Sequence, residues 1–206
     1  MRDGAFPSRR LVRPNGLRRL LPAILIASAA AACSFGSAPT TYDLTAPRTP
    51  ARGGAARGQI VVAEPVAVQT FEAERIIVKD AAGSVSFLSG GQWADRLPRL
   101  IQARLIQTFE NSSRVRAISR PGDRVTADFL LNTEIRSFQI SAATGEAVVE
   151  ISAKLVNDRS GRIAIGRVFS ARVPVGTVDA ASAAQGLDRA LSTVLLEIVR
   201  WVGSGN

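Results

Sequence analysis

VTADFLLNTEIRSFQI, residues 125–140, is the stretch on which the fold turns. Val125, Ala127, Phe129, Leu131 and Ile135 fall on one side of an extended chain, and Asp128, Asn132, Glu134 and Arg136 fall on the other. Side chains along a strand alternate between its two faces, so this spacing predicts one long strand with an apolar and a polar face. The apolar phase shifts at Phe138 and Ile140. Such a shift predicts a β-bulge, one extra residue that returns the later side chains to the same face.

Downstream, SAATG (residues 141–145) has the composition of a hairpin loop. Ala147, Val149, Ile151, Ala153 and Leu155 then alternate against Glu146, Glu150, Ser152 and Lys154. A second loop, NDRSG (157–161), leads to Ile163, Ile165, Phe169, Ala171 and Val173. The pattern predicts a three-stranded antiparallel meander, with one face for a core and one for water or a partner. After Pro174 and Gly176, Asp179 is placed to cap a helix with the apolar stripe Leu187, Leu191, Val194, Leu195, Ile198 and Val202.

Upstream, Trp93 to Asn111 has helical spacing, with Leu97, Leu100, Ile101, Leu105 and Phe109 on one face and Arg96, Arg99 and Gln102 near the other. Pro98 is tolerated only in a first turn, so either the helix starts at about Leu97 or Trp93 belongs to a separate kinked piece. Residues 115–118 are expected to form a short strand, and Gln59 to Val68 a longer one that lies at an edge or bends at Pro65. Arg75 to Asp80 and Ser84 to Leu88, joined by Ala81-Ala82-Gly83, predict a hairpin that Ser89-Gly90-Gly91 should break. The expected fold class is α+β: an antiparallel-rich sheet including the meander, with two helices packed on one face.

The N-terminus has a different character. Leu20 to Ala32 is a 13-residue apolar run behind six arginines, and it ends at Cys33, the only cysteine of 206 residues. It is shorter than the ~20 residues that cross a bilayer and has the layout of a cleaved export signal. Ala30-Ala31-Ala32-Cys33 resembles a bacterial lipobox, with Ala30 where Leu is usual. Lipidation of Cys33 by acyl chains such as palmitate would fix the mature N-terminus to a membrane, each buried methylene contributing ~0.8 kcal/mol. An ordinary signal cut with a free thiol at Cys33 is the alternative. Ser34 rather than Asp follows the cysteine, which resembles the sorting pattern of the outer membrane. Ser8-Arg9-Arg10-Leu11-Val12 resembles a twin-arginine signal, but an ordinary basic segment accounts for it as well, and either route exports the protein.

The expected organisation is a lipoprotein signal peptide at 1–32, a tether at 33–40 and one domain at 41–206. Tyr42-Asp43-Leu44 is expected as a brief strand and Ala46 to Gly58 as a loop. If Tyr42 packs on the domain, the leash behind Cys33 is only a few residues long.

Formal net charge is +9, but residues 1–32 hold six of the 26 basic residues and one of the 17 acidic ones. The remainder carries 20 basic and 16 acidic residues, a net +4. Nucleic-acid binding loses its main support. The chain has no histidine, which removes the usual general base and metal ligand. No metal-ligand spacing, phosphate loop or nucleophile elbow is present, and Gly53-Gly54 and Gly90-Gly91 complete no dinucleotide fingerprint. The carboxylates Asp43, Glu64, Glu72 and Glu74 read as solvated surface groups, and Trp93 as a core anchor. The expectation is a protein with no enzyme activity, no cofactor and no metal.

Taken in order, a lipidated cysteine, a Tyr-x-Leu start (Tyr42, Leu44), the strand VVAEPVAV, the strand RIIV, the helix start QWADRLPRLIQARL, the alternating strands and an Ala-rich last helix resemble the ABC-type transport auxiliary lipoproteins, a family that includes paraquat-inducible protein C. The resemblance spans about residues 41–202. It implies an outer-membrane lipoprotein facing the periplasm that serves as a non-enzymatic docking component of an MCE–ABC transporter system moving lipids between the membranes. Its implied partners are an MCE-domain protein and the outer membrane itself, with self-association left open. An assembly factor for lipopolysaccharide or outer-membrane proteins is the rival. Two connections, Phe71, Glu72 and Glu74 in one and Ser89, Gly90, Gly91 and Gln92 in the other, are the candidate partner-binding residues, because they lie between well-patterned elements.

Overall fold

The computed structural model describes residues 38–48, 58–112 and 117–204; the expected signal, Cys33 and the first part of the tether lie outside them. In chain order the elements are β1 (Thr40–Tyr42), β2 (Ile60–Val62), β3 (Val66–Ala67), a 3-10 turn (Gln69–Phe71), β4 (Arg75–Lys79), β5 (Val85–Trp93), α1 (Leu97–Asn111), β6 (Ile118–Ser119), β7 (Phe129–Ser141), β8 (Glu146–Asn157), β9 (Ile163–Pro174) and α2 (Ala180–Ser204).

β7 is the spine of the sheet. On one side it pairs antiparallel with β8, from Phe129 opposite Asn157 to Ser141 opposite Glu146, and β8 pairs antiparallel with β9. Gly145 and Gly161 sit at the ends of the two connecting loops with φ of 65° and 66°, where a β-carbon would be strained. Their N–H groups donate to the carbonyls of Ser141 (2.8 Å) and Asn157 (2.9 Å), closing each turn locally. Between Ile135 and Ser137 the register with β8 shifts. Leu131 and Ile135 before the shift, and Phe138 and Ile140 after it, are all buried in the core.

The other side of β7 corrects the expected sheet. β2, β3 and β4 lie end to end along it, each parallel: Ile60 opposite Phe129, Val66 opposite Glu134, Val78 opposite Ile140. β6 is parallel to β2 and β1 is parallel to β5. With only β4–β5, β7–β8 and β8–β9 antiparallel, five of the eight pairings are parallel, so the α+β fold rests on a mixed sheet rather than an antiparallel-rich one. Parallel neighbours join through long crossovers, and side-chain alternation carries no information about strand direction.

Three expected elements change accordingly. The strand from Gln59 to Val68 divides at Ala63 to Pro65, where the proline has no N–H to give the ladder. Val125 to Asp128 are not strand: Arg124 has a φ of 56°, and the Asp128 carboxylate takes the N–H of Gln59 at 2.9 Å. Ser89-Gly90-Gly91 does not break the hairpin, because β5 runs through it to Trp93. At Gly91 a β-carbon would lie 2.7 Å from the Ala180 β-carbon and 2.9 Å from the Tyr42 ring, so glycine here allows close packing rather than a turn. Trp93, expected at a helix start, ends β5 and meets Phe138 edge to face with ring centroids 5.7 Å apart.

α1 begins at Leu97 with Pro98 in its first turn, which resolves the two expected starts. It buries Leu97, Leu100, Ile101, Leu105 and Phe109, and the Gln102 amide donates to the Val62 carbonyl at 3.0 Å. α2 starts from Asp179, whose carboxylate accepts the Ser182 N–H at 2.9 Å. That N–H first, and then the hydroxyls of Thr177 and Ser182, lower the Asp179 pKa to about 2. Leu187, Leu191, Val194, Leu195, Ile198 and Val202 are buried as the stripe requires. α2 lies across β7, β8 and β9, and α1 packs beside α2 and β6; both helices feed one core. Each fully buried aliphatic side chain there contributes roughly 1.5–3 kcal/mol, which is why the stripe holds a 25-residue helix in place. Among the described residues no helix is long and apolar enough to cross a membrane.

Candidate functional site

The two connections singled out as partner-binding candidates are neighbours. The Trp93 N–H donates to the Glu74 carbonyl at 2.7 Å and Arg75 stands opposite Gln92, so the segment before β4 runs beside the end of β5. Their side chains divide by exposure. Phe71, which closes the 3-10 turn, is 6 % exposed and belongs to the core, and Gly91 is buried under Tyr42 and Ala180. Glu74, Ser89 and Gly90 are exposed, and Glu72 and Gln92 are half-buried at their border.

Glu72 is engaged within the domain. Its carboxylate lies 2.8 Å from one terminal nitrogen of Arg96, and the other terminal nitrogen lies 2.9 Å from Glu64. All three side chains are partly solvated, so each pair contributes only about 0–1 kcal/mol. The fork nevertheless joins the break between β2 and β3, the residue after the 3-10 turn and the entry to α1. Gln92 donates to the Thr41 hydroxyl at 3.4 Å, which places β1 beside the same surface.

β1 and the residues after it are strapped down. The Ala94 N–H donates to the Tyr42 carbonyl at 2.8 Å, and Leu44 is buried. Asp43 forms an ion pair with Arg104 of α1, while the N–H and hydroxyl of Thr45 donate to Asp188 of α2 at 2.7 and 2.8 Å. The chain is therefore fixed from Thr40 to Thr45, and Tyr42 packs on the domain. Arg96, Arg104 and Asp188 were not legible as site-forming residues, since each partner lies more than twenty residues away with no spacing rule to connect them.

Chemically the surface offers carboxylate, hydroxyl, amide and backbone groups suited to polar recognition. A shallow groove of about 380 Å³ opens where β2 and β3 part, lined by Glu64, Val66, Asn132, Thr133, Glu134 and Lys154. Among the described residues, no group of three or more His, Cys, Asp or Glu is arranged to hold a metal ion.

A family model described as ABC-type transport auxiliary lipoprotein component matches residues 42–199. An uncharacterized protein of Bradyrhizobium diazoefficiens is 36% identical over 177 residues, covering 81% of this chain and 46% of that protein. The chain thus spans about half the length of this curated relative. The crystal structure of a Xanthomonas campestris protein superposes with a TM-score of 0.75 at 26% identity, covering 81% of this chain and 95% of that one. Another crystal structure, of an uncharacterized protein, shares the fold with a TM-score of 0.63 at 14% identity, over 80% of this chain and 98% of that one. With well over half of its residues inside the family match, the chain belongs to the ABC-type transport auxiliary lipoprotein family.

Proposed function

We propose, from that membership, that the chain is an outer-membrane lipoprotein that docks an MCE-domain protein of an ABC transporter system carrying lipids between the inner and outer membranes, without catalysing a reaction itself. The match over residues 42–199 is the observation that carries this reading. In it, residues 1–32 are removed as a signal, Cys33 takes the acyl chains, 33–40 is the tether and 41–206 is the docking domain. The fixing of Thr40 to Thr45 on both helices supports the role, because a load arriving at the start of the domain meets a strand bonded to β5 and strapped to both helices.

The docking surface is assigned to Glu74, Ser89 and Gly90, bordered by Glu72 and Gln92. Phe71 and Gly91 support it from below. Affinity capture of the full-length lipoprotein from detergent-solubilised envelope is the test, with the MCE-domain protein and the transporter ATPase expected in the eluate. Glu74→Lys, on an exposed side chain with no ion pair among the described residues, should reduce recovery of the MCE-domain protein by about tenfold, equivalent to ~1.4 kcal/mol. Absence of any MCE-domain protein from the wild-type eluate would overturn the reading; full recovery with Glu74→Lys would remove this surface from it.

A further inference from the structure

We infer that the β4–β5 hairpin is the domain's own contact with the lipid surface that holds its N-terminal anchor, a role that rests on the lipidation of Cys33 proposed above. Val85 and Phe87 project from β5 into solvent, 48% and 54% exposed. Nothing about the hairpin's closure requires this exposure. The Asp80 carboxylate accepts the Ser84 N–H at 2.7 Å, the Ser84 carbonyl accepts the Asp80 N–H at 3.0 Å, and Gly83 takes the left-handed conformation of the turn. The tip is thus held by its own bonds, and the two apolar side chains beside it are left for another phase.

Chain direction points to that phase. β1 is parallel to β5, with Thr40 opposite Gly91 and Tyr42 opposite Trp93. The chain therefore enters β1 from the side on which β5 leads back to Val85 and the hairpin tip. Cys33 lies seven residues before Thr40, so in any conformation the acylated residue lies within about 25 Å of Thr40. From Gly91 back to Val85 a strand covers about 20 Å. A bilayer within reach of Cys33 on this side lies within reach of the hairpin too.

Composition matches an anionic lipid surface. Arg75 stands over the Phe87 ring at 5.5 Å and Lys79 pairs across from Val85, while the hairpin's one carboxylate, Asp80, is occupied in the turn. A basic side chain on an apolar body suits the headgroup boundary, where the stem is buried and the charge meets phosphate. The neighbouring loop, Ala142 to Gly145, carries no charge and is tied to the hairpin by the Ala142 N–H on the Lys79 carbonyl at 2.9 Å. Ile163, 59% exposed, sits at the far end of β9, opposite Val156 rather than beside the Glu146 end that adjoins this loop. It serves as the internal control.

The test uses the full-length protein in vesicles of phosphatidylethanolamine and phosphatidylglycerol carrying a nitroxide on the headgroup. Val85→Cys, Phe87→Cys and Ile163→Cys are each labelled with an environment-sensitive fluorophore. Because side chains at the headgroup boundary sit ~5–10 Å into it, labels at 85 and 87 should be quenched at least about twofold more than the label at 163. Equal quenching at all three, with the wild type taking up no label, would overturn the hairpin contact while leaving Cys33 acylated. Labelling of the wild type would show Cys33 to be a free thiol, and would overturn the lipidation and the contact together.

Discussion

The two edges of β7 are built in opposite ways. One edge meets a single strand, β8, reached through the four-residue loop Ala142 to Gly145 and paired along its length. The other meets three short strands in succession, β2, β3 and β4, whose residues lie between about 60 and 70 positions earlier in the chain. The first edge is closed by local turns and by alternation that both strands display. The second is held by what packs around it, such as the Gln102 amide on Val62, the Arg96 fork, and Trp93 against Phe138. Loop-closure entropy must be met before such distant contacts form, so this edge is expected to be the later and weaker one to assemble.

Breaking the local edge should have the largest effect. Ile151 is fully buried, opposite Ile135 on one side and Phe169 on the other. Ile151→Asp places an unpaired charge at the centre of the core, and a cost of more than about 4–5 kcal/mol would consume most of a domain's stability. Loss of the cooperative thermal transition is the expected result, and a sharp transition would show that β8 is not the core strand described.

A smaller loss is expected on the β1–β5 side. Gly91→Val pushes a side chain against Ala180 and Tyr42, an overpacking that costs roughly 1–3 kcal/mol. Melting should fall by several degrees, and amide exchange should quicken at Thr40 to Tyr42 before it does in β8. Equal loss of protection in both places would mean that the two edges open as one unit and that the contrast between them is only structural.

The smallest effect concerns a purely local device, the cap of α2. Asp179 has a pKa lowered to about 2 from 3.8, so its contribution is present above about 4 and is lost as pH falls through about 2. The Ser182 amide resonance should titrate with that low midpoint, led by the hydrogen bond it donates to Asp179. A midpoint at the ordinary carboxylate value would show that the cap is not formed in solution.

The sequence by itself determined what depends on near neighbours. Alternation from Phe129 to Val173, the phase shift after Ile135, glycines at 145 and 161, the Asp179 cap and the two helical stripes are local signals, and each is set by backbone geometry within a few residues. The family was legible for the same reason, since its motifs run along the chain in fixed order. Only the tertiary structure decided strand direction, because an extended segment such as Ile60 to Val62 has the same alternation whichever way its partner runs. It also decided the meaning of Gly91, read locally as a break and found as the one residue small enough to pass between Tyr42 and Ala180. The candidate surface divides in the same way. That Glu74 and Gly90 are exposed while Phe71 is core, and that Glu72 is held by Arg96, follows from contacts between segments more than twenty residues apart, which no pattern within either segment encodes.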